Sequence, residues 1–374
     1  YIIAFLYMGS SMVNRYIRAG PYKNKTNEYK SIIGGGWSHF LQKDGSTNAS
    51  FDNNRGHIGE NWWKAGTTIG EVQATLTKNG RTLASHPSIK TSTLGGWIFS
   101  NSHGSGGTLW TPQFKKVKIL DQSNNQESIV VPKLFFNPHK TLQEQRRFIL
   151  KEVEIQHVEN VWTIKTAMKM KNEGDAHVFL TDPSYLRLAQ IGRRGTLLIL
   201  WKPCDCKNMH NIHTDPHFLS KISLWFQADV LSAWQGKSKS KDWFDFPMEP
   251  QEKWTSYVKL NNANDFTPAP ISFLGSSVFG YKNFEIFIDT KVTSKLVYSL
   301  SRVIELIMLK VKGRCELRCG TNKLFLDFGV PMNTDVGIIF RSVKKVTGNK
   351  PIQLHKGKAQ VCTLPFSPLR TGEV

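Results

Sequence analysis

The sequence predicts an α+β protein in two parts. A glycine-punctuated first domain spans residues 1–158, and an antiparallel-sheet domain with packed helices spans 159–344. A C-terminal segment, 345–374, is expected to return to the first domain. Three observations lead there. The 374 residues are 40% hydrophobic and 21% charged, with 11 Trp and 22 Phe, which supplies full cores and excludes a disordered chain. Near Val158 the texture changes from short apolar runs between turn residues to longer runs of β-branched and aromatic residues. Two stretches of helical periodicity then stand among strand-like runs toward the end of the chain.

In the first part, Ser31–Ile33, Trp62–Ala65, Val117–Leu120 and Ile129–Val131 read as short strands. Between them, Thr68 to Lys78 predicts a helix. Thr67 or Thr68 caps it, Glu71 follows Thr68 by three, Ile69, Val72 and Leu76 share a face, and Gly80 lies just past the end.

In the second part, Val161–Ile164, Val178–Thr181, Thr196–Trp201, Ile222–Phe226 and Phe284–Ile288 read as strands of an antiparallel sheet, and Ala233–Lys253 as an irregular insertion. Ser294 to Lys310 places Leu296, Leu300, Val303 and Ile307 at helical spacing, so an amphipathic helix should pack on that sheet. Arg314–Cys319 and Leu324–Phe328 read as strands. A helix from Thr334 to Thr347 follows, capped by Asn333 or Thr334 and ended by Gly348, with Val336, Ile339, Phe340 and Val343 inward. The last strand is Ile352–Leu354.

Lys and Arg outnumber Asp and Glu by 49 to 29, a net charge of +20. Such a surface is either a solvated basic exterior or one that attracts anionic partners, a membrane lipid or an RNA. The basic residues are scattered and form no helix stripe. No apolar run approaches the roughly 20 residues of a spanning helix. The chain opens on Tyr1, so a natural start and any targeting segment are expected upstream. Five Cys are too few and too odd in number for a disulfide framework, which favours a reducing, intracellular setting. Cys204-Asp-Cys206 with His210, His213 and His217 lacks the usual zinc spacing and reads as a polar loop.

Two stretches carry chemistry. In Ile32-Ile33-Gly34-Gly35-Gly36-Trp37-Ser38 an apolar strand runs into three glycines, which permit close backbone approach and a nest of N–H groups for an anion such as a pyrophosphate. Thr93 to Gly107 holds Gly95, Gly96, Ser100, Ser102, His103, Gly104, Ser105 and Gly106, a set of small and hydroxyl residues able to donate to phosphate oxygens. By composition alone it also reads as a Gly/Ser surface loop. Neither stretch is a phosphate-binding Walker loop or a Gly-x-Gly-x-x-Gly fingerprint, so a Rossmann domain is not predicted.

In order, Gly34-Gly-Gly-x-Ser38, Gly66-Thr-Thr-Ile-Gly-Glu71, Pro87-Ser88, Gly95-Gly96-x-Ile98 and Ser102-His-Gly-Ser-Gly106 resemble the FAD-binding domain of the vanillyl-alcohol-oxidase-type flavoproteins. The similarity is to the sugar-lactone branch that includes gulonolactone oxidase and galactonolactone dehydrogenase. It implies a two-lobed FAD-binding domain joined to an antiparallel-sheet substrate domain, and a mitochondrial setting. Gly34, Gly35, Gly36, Trp37 and Ser38 would hold the pyrophosphate, and the Gly95 to Gly106 segment would line the flavin.

Cys315-Glu316-Leu317-Arg318-Cys319 resembles that family's Glu-x-Arg strand, whose side chains bind substrate over the flavin. Independently of the resemblance, strand alternation puts Glu316 and Arg318 on one face, about 7 Å apart along the strand. There they either form a surface ion pair or orient a polyol. His355-Lys356-Gly357-Lys358 resembles the family's C-terminal motif, which implies that His355 and Lys358 face the flavin ring.

Where the oxidases of the family often carry a flavin-linked His, this chain has Trp37, so FAD is expected to be non-covalent. The implied reaction is hydride transfer from a sugar-acid lactone to flavin N5. Trp97, Phe99 and Asn101 replace small residues of the family pattern, and Arg146 to Lys151 lacks its two glycines. These departures leave open a second reading, a relative that keeps the scaffold as a structural subunit of a large assembly such as a mitochondrial ribosome, a respiratory complex or a virion. A basic nucleic-acid-binding protein is a third reading, although no RNA-binding module signature is present.

Overall fold

The computed structural model describes residues 31–33, 48–50, 54–87, 92–100, 102–104, 113–132, 148–184, 186–192, 195–204, 253–263, 281–311, 313–320, 322–331 and 333–355. They divide into two compact units that change over between Asn160 and Val161.

The first unit contains β1 (Ser31–Ile33), β2 (Asn48–Ser50), β3 (His57–Gly59), β4 (Trp62–Lys64), α1 (Ile69–Lys78), β5 (Arg81–Thr82), α2 (Leu94–Ser100), β6 (Phe114–Asp121), β7 (Gln126–Val130), β8 (Phe148–Ile155) and β9 (Val158–Glu159). Five strands form an antiparallel sheet in the order β3-β4-β8-β6-β7. Helix α1 starts as its sequence signals require. The Thr68 side chain accepts from the Glu71 N–H, and the Glu71 carboxylate accepts in return from the Thr68 N–H at 2.7 Å. Its buried face, Ile69, Val72 and Leu76, joins a core with Trp63, Leu83, Trp97, Ile98, Phe114, Val117, Leu150 and Val153.

The second unit contains β10 (Trp162–Lys169), α3 (Glu173–Thr181), β11 (Leu186–Gly192), β12 (Gly195–Cys204), β13 (Lys253–Lys259), α4 (Leu260–Ala263), β14 (Tyr281–Asp289), α5 (Ser294–Val311), β15 (Arg314–Cys319), β16 (Lys323–Pro331), α6 (Val336–Val346) and β17 (Ile352–Leu354). Eight strands pair antiparallel throughout, in the order β13-β10-β12-β11-β15-β16-β14-β17. Strand alternation divides each strand between two faces. One face, with Ala189, Ile191, Leu198, Ile286, Leu317 and Leu326, forms a single core with Phe179 of α3, Val297, Leu300 and Ile304 of α5, and Ile339 and Val343 of α6. Each such side chain contributes about 1.5–3 kcal/mol when fully buried, so this core fixes the register of the sheet.

Several expectations need correction. Val178–Thr181, read as a strand, is the last turn of α3. The Asn172 side chain accepts from the Asp175 N–H, and the Asp175 carboxylate accepts from Asn172 in return, so a capping box starts a helix that overrides the β-branched run. The cap of α6 is Asp335, whose Oδ1 accepts from the Gly337 N–H at 2.8 Å. The Thr334 N–H is already committed to Pro331 O. Residues 345–355 fall in the second unit, where α6 runs through position 345 and β17 pairs with β14 at the edge of the large sheet, and 356–374 lie outside the described residues. Ile222–Phe226 and residues 233–252 lie outside the described residues. Cys204 is disulfide-bonded, whereas the cysteine count favours a reducing setting. No helix among the described residues is long and apolar enough to cross a membrane.

The α1 cap supplies a direct test. Thr68→Ala removes one half of the capping box and should cost about 1 kcal/mol of stability, read as a lower midpoint in urea unfolding. An unchanged midpoint would mean that tertiary packing alone holds the start of α1.

Candidate active site

Strand β15 alternates buried and half-buried residues. Cys315, Leu317 and Cys319 enter the helix-covered core, so Glu316 and Arg318 stand on the opposite face, as the strand period predicts. Pairing extends this face sideways. Gln190 of β11 is opposite Glu316, Glu316 is opposite Asp327 of β16, and Asp327 is opposite Glu285 of β14. The His355 N–H donates to Glu285 O at 2.8 Å, which extends the row to the end of β17. Two residues along, on the same face, Arg318 is opposite Phe325, and Phe325 is opposite Phe287, with the two rings 6.4 Å apart.

Arg318 is the centre of this face. Its Nη2 lies 2.6 Å from Glu316 Oε2 and its Nη1 lies 3.5 Å from Glu285 Oε1. The Arg318 side chain is 14% exposed and that of Glu285 is 3% exposed. Burial works against the guanidinium charge, but the carboxylates of Glu316, Glu285 and Asp327 outweigh it and hold the pKa of Arg318 above its ordinary value. A cation fixed in a water-poor site can orient an oxygen ligand and stabilise negative charge developing on it. His355, also predicted for the site, is buried at the same row. Lys358 lies outside the described residues.

Glu285 and Asp327 escaped sequence reading. The signal was a lone carboxylate inside each of the apolar runs Phe284–Ile288 and Leu324–Phe328. Its parity opposes the core, as that of Glu316 and Arg318 does.

In the first unit the described glycine segments Gly66–Glu71 and Thr93–Ser100 meet at the starts of α1 and α2. Thr68 bridges Thr93, the Leu94 N–H donates to Thr67 O, and the Gly95 N–H donates to Ala65 O at 2.8 Å. Thr93–Ser100 is therefore largely helical, and not the Gly/Ser loop that its composition allows. The Gly96 N–H donates to Thr93 Oγ1 at 3.1 Å, so both glycine N–H groups serve the start of the helix. Trp97 turns into the core, 4.8 Å from the Phe114 ring, with its Nε1–H donating to Ser102 O. Ser100 ends α2. His103 is buried, and its Nδ1–H donates to Gly104 O. A Cβ on Gly104 would meet Ser85 Oγ at 2.2 Å and the His86 backbone at 2.5 and 2.7 Å, so only glycine lets these two segments touch. Gly34, Gly35, Gly36, Trp37, Ser38, Ser105 and Gly106 lie outside the described residues.

No family model matches the chain, and no curated protein matches it either. Solved structures do. A solvent-stable cholesterol oxidase superposes with a TM-score of 0.57 at 12% identity, over 88% of this chain and 79% of that one. A cholesterol oxidase from Brevibacterium sterolicum superposes with a TM-score of 0.55 at 10% identity, over 87% of this chain and 78% of that one. The chain has the cholesterol oxidase fold. At such identity the likeness fixes the arrangement of elements and leaves the chemistry to the residues on the cholesterol-oxidase-like scaffold.

Two outcomes follow. Gly104→Ala should destabilise the protein by about 1–3 kcal/mol through overpacking, read as a drop in thermal midpoint. A midpoint within error of wild type would mean that the Ser85–His86 turn yields without cost. On the core face, burial raises both thiols, Cys319 to about 12 and Cys315 well above its ordinary value. Neither should be alkylated by iodoacetamide in the native protein at about pH 8, and both should react after unfolding. Labelling of either before unfolding would show that the sheet opens.

Proposed function

We propose that the protein is an FAD-dependent oxidoreductase that oxidises a hydroxyl-bearing carbon of a sugar-acid lactone. Its fold likeness to oxidases and the order of its glycine motifs support a flavin oxidoreductase. The observation that carries the reading to a reaction is the half-buried Arg318 guanidinium between two carboxylates, on the sheet face opposite the one on which α3, α5 and α6 pack.

The chemistry of this donor set fits such a reaction. Oxidising an alcohol carbon builds negative charge on its oxygen, and a buried cation lowers the cost of that charge. Arg318 would bind the oxygen, and Glu316 would accept a hydrogen bond from a neighbouring hydroxyl and so orient the polyol. FAD, when bound, supplies the hydride acceptor at N5. The resemblance assigns its binding to Gly34–Ser38 and the Gly95–Gly106 segment, and assigns to His355 and Lys358 the place beside the ring. Trp37 offers no nucleophilic ring nitrogen of the histidine kind, which supports non-covalent binding. The net charge of +20 supports an anionic surface, lipid or RNA, as a further partner.

The purified full chain should show the two visible absorption bands of oxidised flavin, and acid precipitation should release the chromophore into solution. Arg318→Ala should retain the bands and lower lactone turnover by about a hundredfold or more. A protein without bands that takes up no added FAD would overturn the reading in favour of a structural subunit.

A further inference from the structure

Arg318 spans two strands. Glu316 is its neighbour on β15, two residues away and on the same face, so that contact is local. Glu285 comes from β14, beyond β16, and is 33 residues away in sequence. The two carboxylates meet different ends of the guanidinium fork, Glu316 at Nη2 and Glu285 at Nη1. A single carboxylate leaves a long arginine side chain free to swing about that contact, whereas two at opposite ends of a planar group fix its plane. Nε–H is left with no hydrogen-bond partner among the described residues. Glu285 is itself held: its carbonyl accepts from the His355 N–H, and its strand is paired on both sides, with β16 and β17. At 3% exposure its carboxylate has little room to move.

We propose that Glu285 is a positioning residue that completes a two-carboxylate clamp on Arg318 and so fixes the guanidinium that orients substrate oxygen. The proposal rests on the oxidoreductase reading for its effect on turnover, and on the ion-pair geometry alone for the clamp itself.

The test labels arginines of the purified full chain with phenylglyoxal and reads each site by peptide mass spectrometry in wild type, Glu285→Gln and Glu285→Asp. Losing one charge-assisted contact should raise the labelling rate of Arg318 about tenfold in Glu285→Gln. Glu285→Asp keeps the charge on a shorter arm and should raise Arg318 labelling by a smaller factor, about threefold. Arg187, on the core face of the same sheet, reports general loosening and should not change. In parallel, turnover of galactonolactone with a dye acceptor should fall about tenfold in kcat in Glu285→Gln, with KM changing less.

Unchanged Arg318 labelling overturns the clamp. An equal rise at Arg187 also overturns it, because Glu285 would then only stabilise the sheet. Faster Arg318 labelling with unchanged turnover overturns the positioning role. A wild type that turns over no galactonolactone counts against the lactone reading, and the labelling result still decides the clamp. If Glu285→Gln does not fold, the Arg318 and Arg187 rates in Glu285→Asp decide it, since a shorter carboxylate should loosen Arg318 selectively.

Discussion

A guanidinium taken out of water loses several kcal/mol of hydration, and it stays charged in a sheet only where carboxylates replace that water. Arg318 meets this condition through Glu316 and Glu285, with Asp327 in the same row. The arrangement requires β15, β16 and β14 to be neighbours in this order and register. A slip of one residue would turn Glu285 into the core and leave Arg318 short of a counter-charge. The register is enforced from the other face, where Ile286, Leu317 and Leu326 lock under α5 and α6. The apolar core and the polar row are thus two consequences of one pairing. The core supplies the stability, and the row takes its geometry from it.

The first unit obeys a different constraint, close backbone approach. Gly95 and Gly96 permit α2 to start against Ala65 and under the Thr93 side chain, and Gly104 lets its segment lie directly on Ser85–His86. Trp97, one of the aromatics that break the family pattern, has a structural place here. Trp97 fills the core against Phe114 and ties its indole N–H to Ser102 O. A bulky residue at that position therefore adds to the packing of this unit and need not stand where a cofactor would lie.

Cholesterol oxidases share this fold at 10–12% identity, a level at which the scaffold persists while most side chains have changed. Function then rests on the few positions where the chain places chemistry. On this scaffold the described positions are a half-buried arginine, its carboxylates and a histidine at the sheet edge. The thiols of Cys315 and Cys319, on the opposite side of the same strand, are buried in the core, which raises the pKa of both.

The sequence by itself determined whatever depends on local backbone geometry. The capping box at Thr68 and Glu71, the amphipathic period of α5, and the shared face of Glu316 and Arg318 follow from periods of 3.6 and 2 that each segment carries within itself. Where two local signals competed, reading one of them failed: the β-branched Val178–Thr181 lies in a helix because the Asn172–Asp175 cap precedes it. The glycines of Thr93–Ser100 likewise hid the helix that Leu94, Trp97 and Ile98 complete by burying one face. Only the tertiary structure decided that Glu285 would reach Arg318 across β16, and that 345–355 would stay with the second unit. Both depend on which strands become neighbours, and strand order is set by long-range burial of apolar faces that no short window of sequence contains.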